Sequence, residues 1–406
     1  MRSMKKVLIF SLGYYPEPTG GAEVAIKEIT DRIDSHEIEF HMVALGYDKK
    51  TARTERVGNI IVHRIGFSRS SVGIPDMKKF PLHYNKHLFL LWAPIKALSL
   101  HRKYHFDATW AMMAHPCGVP QAIFGMFAKK VPRILTLQEG DPPEYMERLY
   151  RPLWPLFKSA FTKADIVQVI SNFLSTWARA MGYKGDIVFI PNGASTQAAQ
   201  KFTNDELSAY KKEVGKKDGD ILIVTVSRLV RKNAVDDIIR ALSFLPEHMK
   251  LLVVGGGEDE GMLKQMVQDM NLDKRVYFTG HVDRTMTAKS RAIAEIFCRP
   301  SRSEGFGNSF ASAMVSRLPI IATQEGGIAD FLFDKKRDPD KKTTGWAVDK
   351  DSPEQIAEVV QEIVAHPEIV KEVTDRAYRM VTTQYNWDNI ARRMKSEVFD
   401  RALKVQ

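Results

Sequence analysis

The 406-residue chain reads as an α/β protein of two domains, each a parallel sheet wrapped by helices. Three observations predict this. Apolar runs of strand length alternate with longer helix-like stretches, the pattern of a parallel sheet. The alternation halts at a polar run, 196–200, and begins afresh at Ile221. Strand ends also open into glycine-rich turns that lead into helices, and the length exceeds what one core usually serves.

In the first domain, Lys5 to Leu12 is the first strand. It runs into the loop 13–21, which closes on Gly20 and Gly21 and feeds a helix from about Ala22 to Ile33. Paired glycines let a ligand come close to the backbone. Ile38 to Leu45 and Ile60 to Arg64 are further strands. Residues 77–105 interleave Lys, Arg and His with Phe, Leu, Trp and Tyr. That texture suits a basic amphipathic helix lying on an anionic membrane, with Pro81 and Pro94 as breaks. Asp107 to Met112 and Ile134 to Gln138 are the next strands. The turns after them carry His115 and the run Gln138, Glu139, Asp141, at carboxyl ends of strands, where open α/β sheets bind ligands. Strands at 165–170 and 186–190 complete the domain.

The second domain starts with the strand Ile221 to Val226 and a basic turn in which Arg228 and Lys232 stand four residues apart. Arginine forks onto phosphate oxygens and lysine adds a mobile point charge. Strands at 251–254 and 276–279 end in Gly255-Gly256-Gly257 and Gly280-His281-Val282. The next strand, Glu295 to Arg299, must stop at Pro300. There follow Glu304, the turn Gly305-Phe306-Gly307, and a helix with Asn308 as N-cap and Ser309 and Ser312 in its first turns. Helix N–H groups attract an anion, and a carboxylate can accept two hydrogen bonds from a polyol. Phosphate beside a vicinal diol is what a nucleotide sugar presents. Gly326 and Gly327 form another glycine turn, 353–366 is an amphipathic helix, and helices continue to about Leu403.

Composition bounds the rest. Hydrophobic residues make up 44% and charged ones 27%, an ordinary soluble composition. Cys117 and Cys298 lie far apart and read as buried small hydrophobes of a reducing compartment. The apolar run Val7 to Leu12 is too short for a signal peptide, and none is long enough to span a bilayer, which predicts a cytoplasmic or peripheral protein. A net charge of +10 calls for an anionic partner, but no zinc spacing, RNA-recognition signature or basic heptad points to nucleic acid. Asp218-Gly219-Asp220 precedes a strand rather than ending one, and reads as a solvent turn, not a metal motif.

The stretch from Pro300 to Thr323 resembles the donor-site signature of retaining family 4 glycosyltransferases, the group 1 glycosyl transferases of GT-B fold. Similarity to that family extends over nearly the whole chain. It implies two Rossmann-like domains facing across a cleft: residues 1–195 binding the acceptor and 196–385 the nucleotide sugar. A C-terminal helix, about 386–406, would cross back to the first domain. It further implies that Arg228 and Lys232 clamp the donor diphosphate in place of a metal ion, and that Glu304 orients the sugar. Gly20, Gly21, Gly326, Gly327 and residues 305–309 would line phosphate and sugar, and Gly280, His281 and Val282 the base. His115, Gln138, Glu139 and Asp141 become acceptor-side candidates. The implied activity is metal-independent, cofactor-free transfer of a sugar to a hydroxyl acceptor with retention of configuration, in cell-surface polysaccharide or glycolipid synthesis. The segment 77–105 would make peripheral contact with the inner membrane face.

Four positions depart from the family pattern. Ser312 stands where a second glutamate usually grips the ribose, Asn233-Ala234 where a glycine follows the lysine, Gln138 where many relatives have histidine, and Ala194-Ser195 where Val-Asp follows the hinge. These departures keep two alternatives open: a non-catalytic sugar-nucleotide scaffold, or an epimerase or phosphorylase on the same fold.

Overall fold

In the computed structural model, residues 4–16, 20–70, 72, 76–77, 79–194 and 201–404 are described. The tip of the first glycine loop, Glu17 to Thr19, and the linker from Ser195 to Gln200 lie outside the described residues. The chain divides into two compact units, Met1–Asn192 with Trp387–Gln406, and Gly193–Asn386.

The first unit is built on eight strands: β1 (Lys5–Phe10), β2 (Ile38–Leu45), β3 (Thr54–Val57), β4 (Ile60–Ile65), β5 (Ala108–Met112), β6 (Arg133–Leu137), β7 (Ile166–Val169) and β8 (Ile187–Phe189). Their order is β3-β4-β2-β1-β5-β6-β7-β8. Strands covered on both faces read as unbroken apolar runs, and Val7 to Phe10 are all fully buried. Among the described residues only β3 pairs antiparallel, with Thr54 opposite His63 and Val57 opposite Ile60. Its sequence, TERV, is polar and half-exposed, so apolar patterning gave it no signal.

The second sheet has six parallel strands: β9 (Ile221–Val226), β10 (Met249–Val254), β11 (Val276–Gly280), β12 (Ile296–Arg299), β13 (Ile320–Ala322) and β14 (Trp346–Ala347). Their order is β11-β10-β9-β12-β13-β14. In both sheets the strand order reverses beside the first strand, between β1 and β5 and between β9 and β12. Loops leaving such a switch point diverge and open a crevice.

The C-terminal residues belong to the first unit. A helical stretch, 387–402, puts Trp387, Ile390, Met394, Val398 and Phe399 into that unit's core. The Phe399 ring meets Phe40 and Trp110 at 5.5 and 5.1 Å. Asp388 accepts from Arg32 Nε at 2.7 Å.

The segment 77–105 differs from expectation. One continuous helix runs from Asn85 to Tyr104 with Pro94 inside it. A proline costs one backbone bond and crowds the preceding turn. Here Phe89, Ala93, Pro94, Ala97 and Leu100 are buried together, and that packing holds the helix through the defect. Among the described residues, no helix is long and apolar enough to cross a membrane.

Candidate active site

The turns at the β9/β12 switch point bring together most of the residues expected to hold a donor. After β9, Arg228 is exposed and Lys232 half-buried. A short 3-10 turn, Arg231–Asn233, closes on Ala234 at φ 54°. This is the left-handed region that favours glycine. The Asn233 side chain donates to the Arg228 carbonyl at 2.7 Å and so holds the turn.

After β12, the Glu304 carboxylate accepts from the Gly305 N–H at 3.0 Å and pairs with Arg299. Gly307 takes φ 83° and caps the helix Asn308–Val315. The N-cap is therefore Gly307, one residue before the expected Asn308. A Cβ on Gly307 would lie 2.5 Å from the Phe310 ring, so only glycine fits. Phe306 presents no side chain to a ligand: its ring is buried against Phe331 and Tyr385, at 5.3 and 5.4 Å. Its backbone alone can serve the site. Gly326, at φ 62°, would put a Cβ 2.1 Å from the Glu304 carbonyl, and Gly327 donates to that same carbonyl at 2.9 Å. The second glycine turn thus rests directly on the Glu304 loop. The Ser312 hydroxyl donates to its own helix at Asn308 O, 3.0 Å away. Gly280 accepts from Gly255 N at 3.1 Å, while His281 is exposed and Val282 half-buried beside it.

Sequence reasoning overlooked Arg299. It ends a strand whose other residues, Ile296, Phe297 and Cys298, are buried and apolar. A charge closing an apolar strand was the available signal. A second missed residue, Arg302, donates to Asp236, Asp237 and Asp351 at 2.6 to 3.0 Å, and its backbone N–H donates to Lys232 O at 2.7 Å. Burial and the neighbouring Asp236 raise the Asp237 carboxyl to about 6.

In the first unit, the turns after β5 and β6 meet beside that unit's switch point. Glu139 is fully buried. It accepts from the N–H groups of Ala114, His115 and Gln138 at 2.6, 3.2 and 2.9 Å. Burial lifts its pKa to about 7 even though these bonds favour the carboxylate. Its role is to fasten the two turns together. Gln138 and Asn192 exchange a reciprocal amide pair at 3.0 and 3.1 Å, which leaves Gln138 little freedom for a sugar hydroxyl. The His115 imidazole bonds the Tyr150 hydroxyl, and burial lowers its pKa to about 4, so it is neutral near pH 7. Asp141 is half-buried in the same turn. Gly20 starts the helix Gly21–Thr30, and its N–H donates to Glu23 at 2.7 Å.

Comparison with known proteins agrees with this architecture. Residues 19–198 match the model of Glycosyltransferase Family 4 and residues 208–380 that of Glycosyl transferases group 1. Over 242 residues the chain is 26% identical to the GDP-mannose-dependent alpha-(1-6)-phosphatidylinositol monomannoside mannosyltransferase of Mycobacterium tuberculosis. That match covers 57% of this chain and 60% of the relative's length. Identity to the putative teichuronic acid biosynthesis glycosyltransferase TuaC of Bacillus subtilis is 27% over 359 residues, 86% of this chain and 84% of TuaC. Among solved structures, Anabaena HepE in complex with UDP and glucose superposes with a TM-score of 0.76 at 17% identity, covering 98% of this chain and 100% of HepE. Sucrose-phosphate synthase from Thermosynechococcus elongatus does so with a TM-score of 0.79 at 18% identity, covering 99% and 100%. With one domain model on each half and a GT-B architecture throughout, this chain belongs to the family 4 and group 1 glycosyltransferases.

Proposed function

We propose that the chain transfers a sugar from a nucleoside diphosphate sugar to a hydroxyl acceptor, retaining the anomeric configuration and requiring no metal ion. The observation that carries this reading is the pairing of two turns at one switch point. The first offers Arg228 and Lys232 to a diphosphate. The second offers Glu304, the Gly305–Gly307 backbone and the start of the helix Asn308–Val315. As the bond from the anomeric carbon to the diphosphate oxygen breaks, its electron pair leaves with the diphosphate. Arg228, Lys232 and the helix N–H groups would stabilise that charge. The acceptor oxygen attacks from the same face, and its proton passes to the departing phosphate oxygen. No protein base is then needed, which suits the engaged Gln138 and the neutral His115.

Arg228→Ala and Glu304→Ala test the reading. Each should lower turnover by about 10²-fold or more, the usual effect of losing a charge-stabilising group. A screen of nucleotide sugars by thermal shift identifies the donor, since a ligand bound only to the folded state raises the melting temperature. Addition of EDTA should leave the rate unchanged. Wild-type turnover in both variants would refute the assignment. Ser312, whose O–H donates to its own helix, favours one second reading, a nucleotide-sugar binder without activity. Binding without single-turnover transfer or hydrolysis would select it.

A lipid-linked acceptor fits the mannosyltransferase relative, which is named for a phosphatidylinositol substrate. It also fits the helix Asn85–Tyr104, on which Leu91 and Ile95 are 60% and 66% exposed and which also carries exposed Lys86, Arg102 and Lys103. This helix is proposed to rest on an anionic membrane.

A further inference from the structure

The buried guanidinium of Arg299 joins the two turns of the donor site. Its Nη2 donates to Asn233 Oδ1 at 2.8 Å and pairs with the Glu304 carboxylate, and its Nη1 donates to Ser309 Oγ at 2.8 Å. Asn233 in turn donates to the Arg228 carbonyl at 2.7 Å. One unbroken chain of bonds therefore runs from the Arg228 turn, through Asn233 and Arg299, to Glu304. The guanidinium also sits over the Phe310 ring, 5.3 Å from its centroid, and the residue is only 7% exposed.

Stability alone does not account for this arrangement. Removing two charges from water costs several kcal/mol per ion, and well-packed apolar residues often serve as well or better. The three residues before Arg299 are apolar and buried, so an apolar side chain would continue their pattern. Its Nε has no hydrogen-bond partner among the described residues, a further cost of keeping the arginine there. What an apolar residue could not supply is geometry. A planar fork with several donors fixes a carboxylate in direction as well as distance. Each carboxylate oxygen has two acceptor sites. Glu304 spends one site on Gly305 and one on Arg299, and the remaining sites can still accept sugar hydroxyls. Pairing also offsets the Glu304 charge, which would otherwise repel a donor diphosphate.

We infer that Arg299 is a positioning residue: it aims Glu304 at the sugar and locks the sugar-side turn to the phosphate-side turn. The inference rests on the donor-site reading above. The test compares UDP and GDP with UDP-glucose and GDP-mannose, by calorimetric binding and by donor hydrolysis, on the full chain. Arg299→Lys keeps the charge and loses the fork. It should leave Kd for the nucleoside diphosphate within about threefold, yet lower both affinity for the matching nucleotide sugar and hydrolytic kcat tenfold or more. In a Glu304→Gln background the same substitution should add less than about threefold, because the two residues act as one. Should Arg299→Lys fail to fold, Asn233→Ser breaks the bonds of Asn233 to Arg299 and to the Arg228 carbonyl, leaves the Arg299–Glu304 pair in place, and should weaken nucleotide-sugar binding threefold or more. A variant that merely melts earlier, with Kd and kcat unchanged, would overturn the inference. So would multiplying effects of Arg299→Lys and Glu304→Gln, or unchanged binding in Asn233→Ser. A wild-type chain that binds none of the four probes would overturn the donor-site reading itself, and this inference with it.

Discussion

Ser312 carries a single hydroxyl at the position where the family has its second glutamate, and that hydroxyl already donates to Asn308 O. Back-bonding of this kind is common for a serine inside a helix, and it leaves the oxygen only its acceptor lone pairs for a ribose hydroxyl. A charge-assisted hydrogen bond is worth about 1.5–3 kcal/mol and a neutral one about half that. Ser312→Glu should accordingly tighten nucleoside diphosphate binding about tenfold, with a smaller gain for the 2′-deoxy form. Titration calorimetry with both forms measures this. Equal affinities before and after would show that the ribose is held elsewhere, with the exposed Glu258 the next candidate, since Glu325 pairs with Lys350 at 3.3 Å. At the same scale, Ala234 shows how a departure from the family is absorbed. Its left-handed backbone costs about 1–2 kcal/mol relative to the right-handed form. The methyl group is fully buried, so packing offsets part of that cost.

Among the elements, the β2/β4 pair holds an unusual contact. His41 and His63 stack within the sheet, 5.3 Å apart and nearly parallel. Their ring nitrogens meet at 3.0 Å, and His41 also bonds Glu39 at 2.9 Å. Burial, followed by the charge of His41, lowers His63 to about 4; burial lowers His41 as well. In the unfolded chain a histidine takes up a proton near pH 6.5, so acid favours unfolding. The stability belonging to His63 is complete above about pH 6.5 and is lost as pH falls towards 4. Each pKa unit is worth about 1.4 kcal/mol, which makes the His63 share about 3 kcal/mol. Melting temperatures measured from pH 7 to 4 should fall steeply, and His63→Gln should flatten the slope by about one proton. An identical slope in the variant would show that other groups, His115 among them, govern acid stability.

For the whole molecule, a net charge of +10 and an exposed apolar row on a basic helix combine into one prediction. The chain should sediment with vesicles containing phosphatidylglycerol and not with pure phosphatidylcholine, and 0.5 M salt should release much of it, since exposed charges are screened over about a Debye length. Leu91→Glu with Ile95→Glu should abolish sedimentation without changing turnover on a soluble acceptor. Equal sedimentation by the double variant would remove the helix Asn85–Tyr104 as the contact. The return of residues 387–402 to the first unit belongs to this scale too. It ties the chain's end to its beginning through Phe399, which packs on strands more than 280 residues earlier in sequence.

What the sequence determined by itself was whatever short-range chemistry encodes. Parallel strands showed as apolar runs, and the glycine turns at 280, 307 and 326 as residues able to take positive φ. The candidate donor turn from Glu304 to Ser312 showed because its parts lie within a few residues of one another. Tertiary structure alone decided the pairings across long loops: Arg299 with Asn233, 66 residues apart, Gln138 with Asn192, 54 apart, and Glu139 with Ala114, 25 apart. Gln138 and Glu139 looked in sequence like open polar groups free for substrate, and Arg299 gave no such sign. Each is instead partly or wholly engaged, because closing the sheets places it next to a donor or acceptor that would otherwise lie buried without one, and a buried polar group left unpaired costs about 1–3 kcal/mol. The same reason explains Pro94. Its helix-breaking tendency is a local property, and it was overruled by the side chains that the folded sheet packs around it.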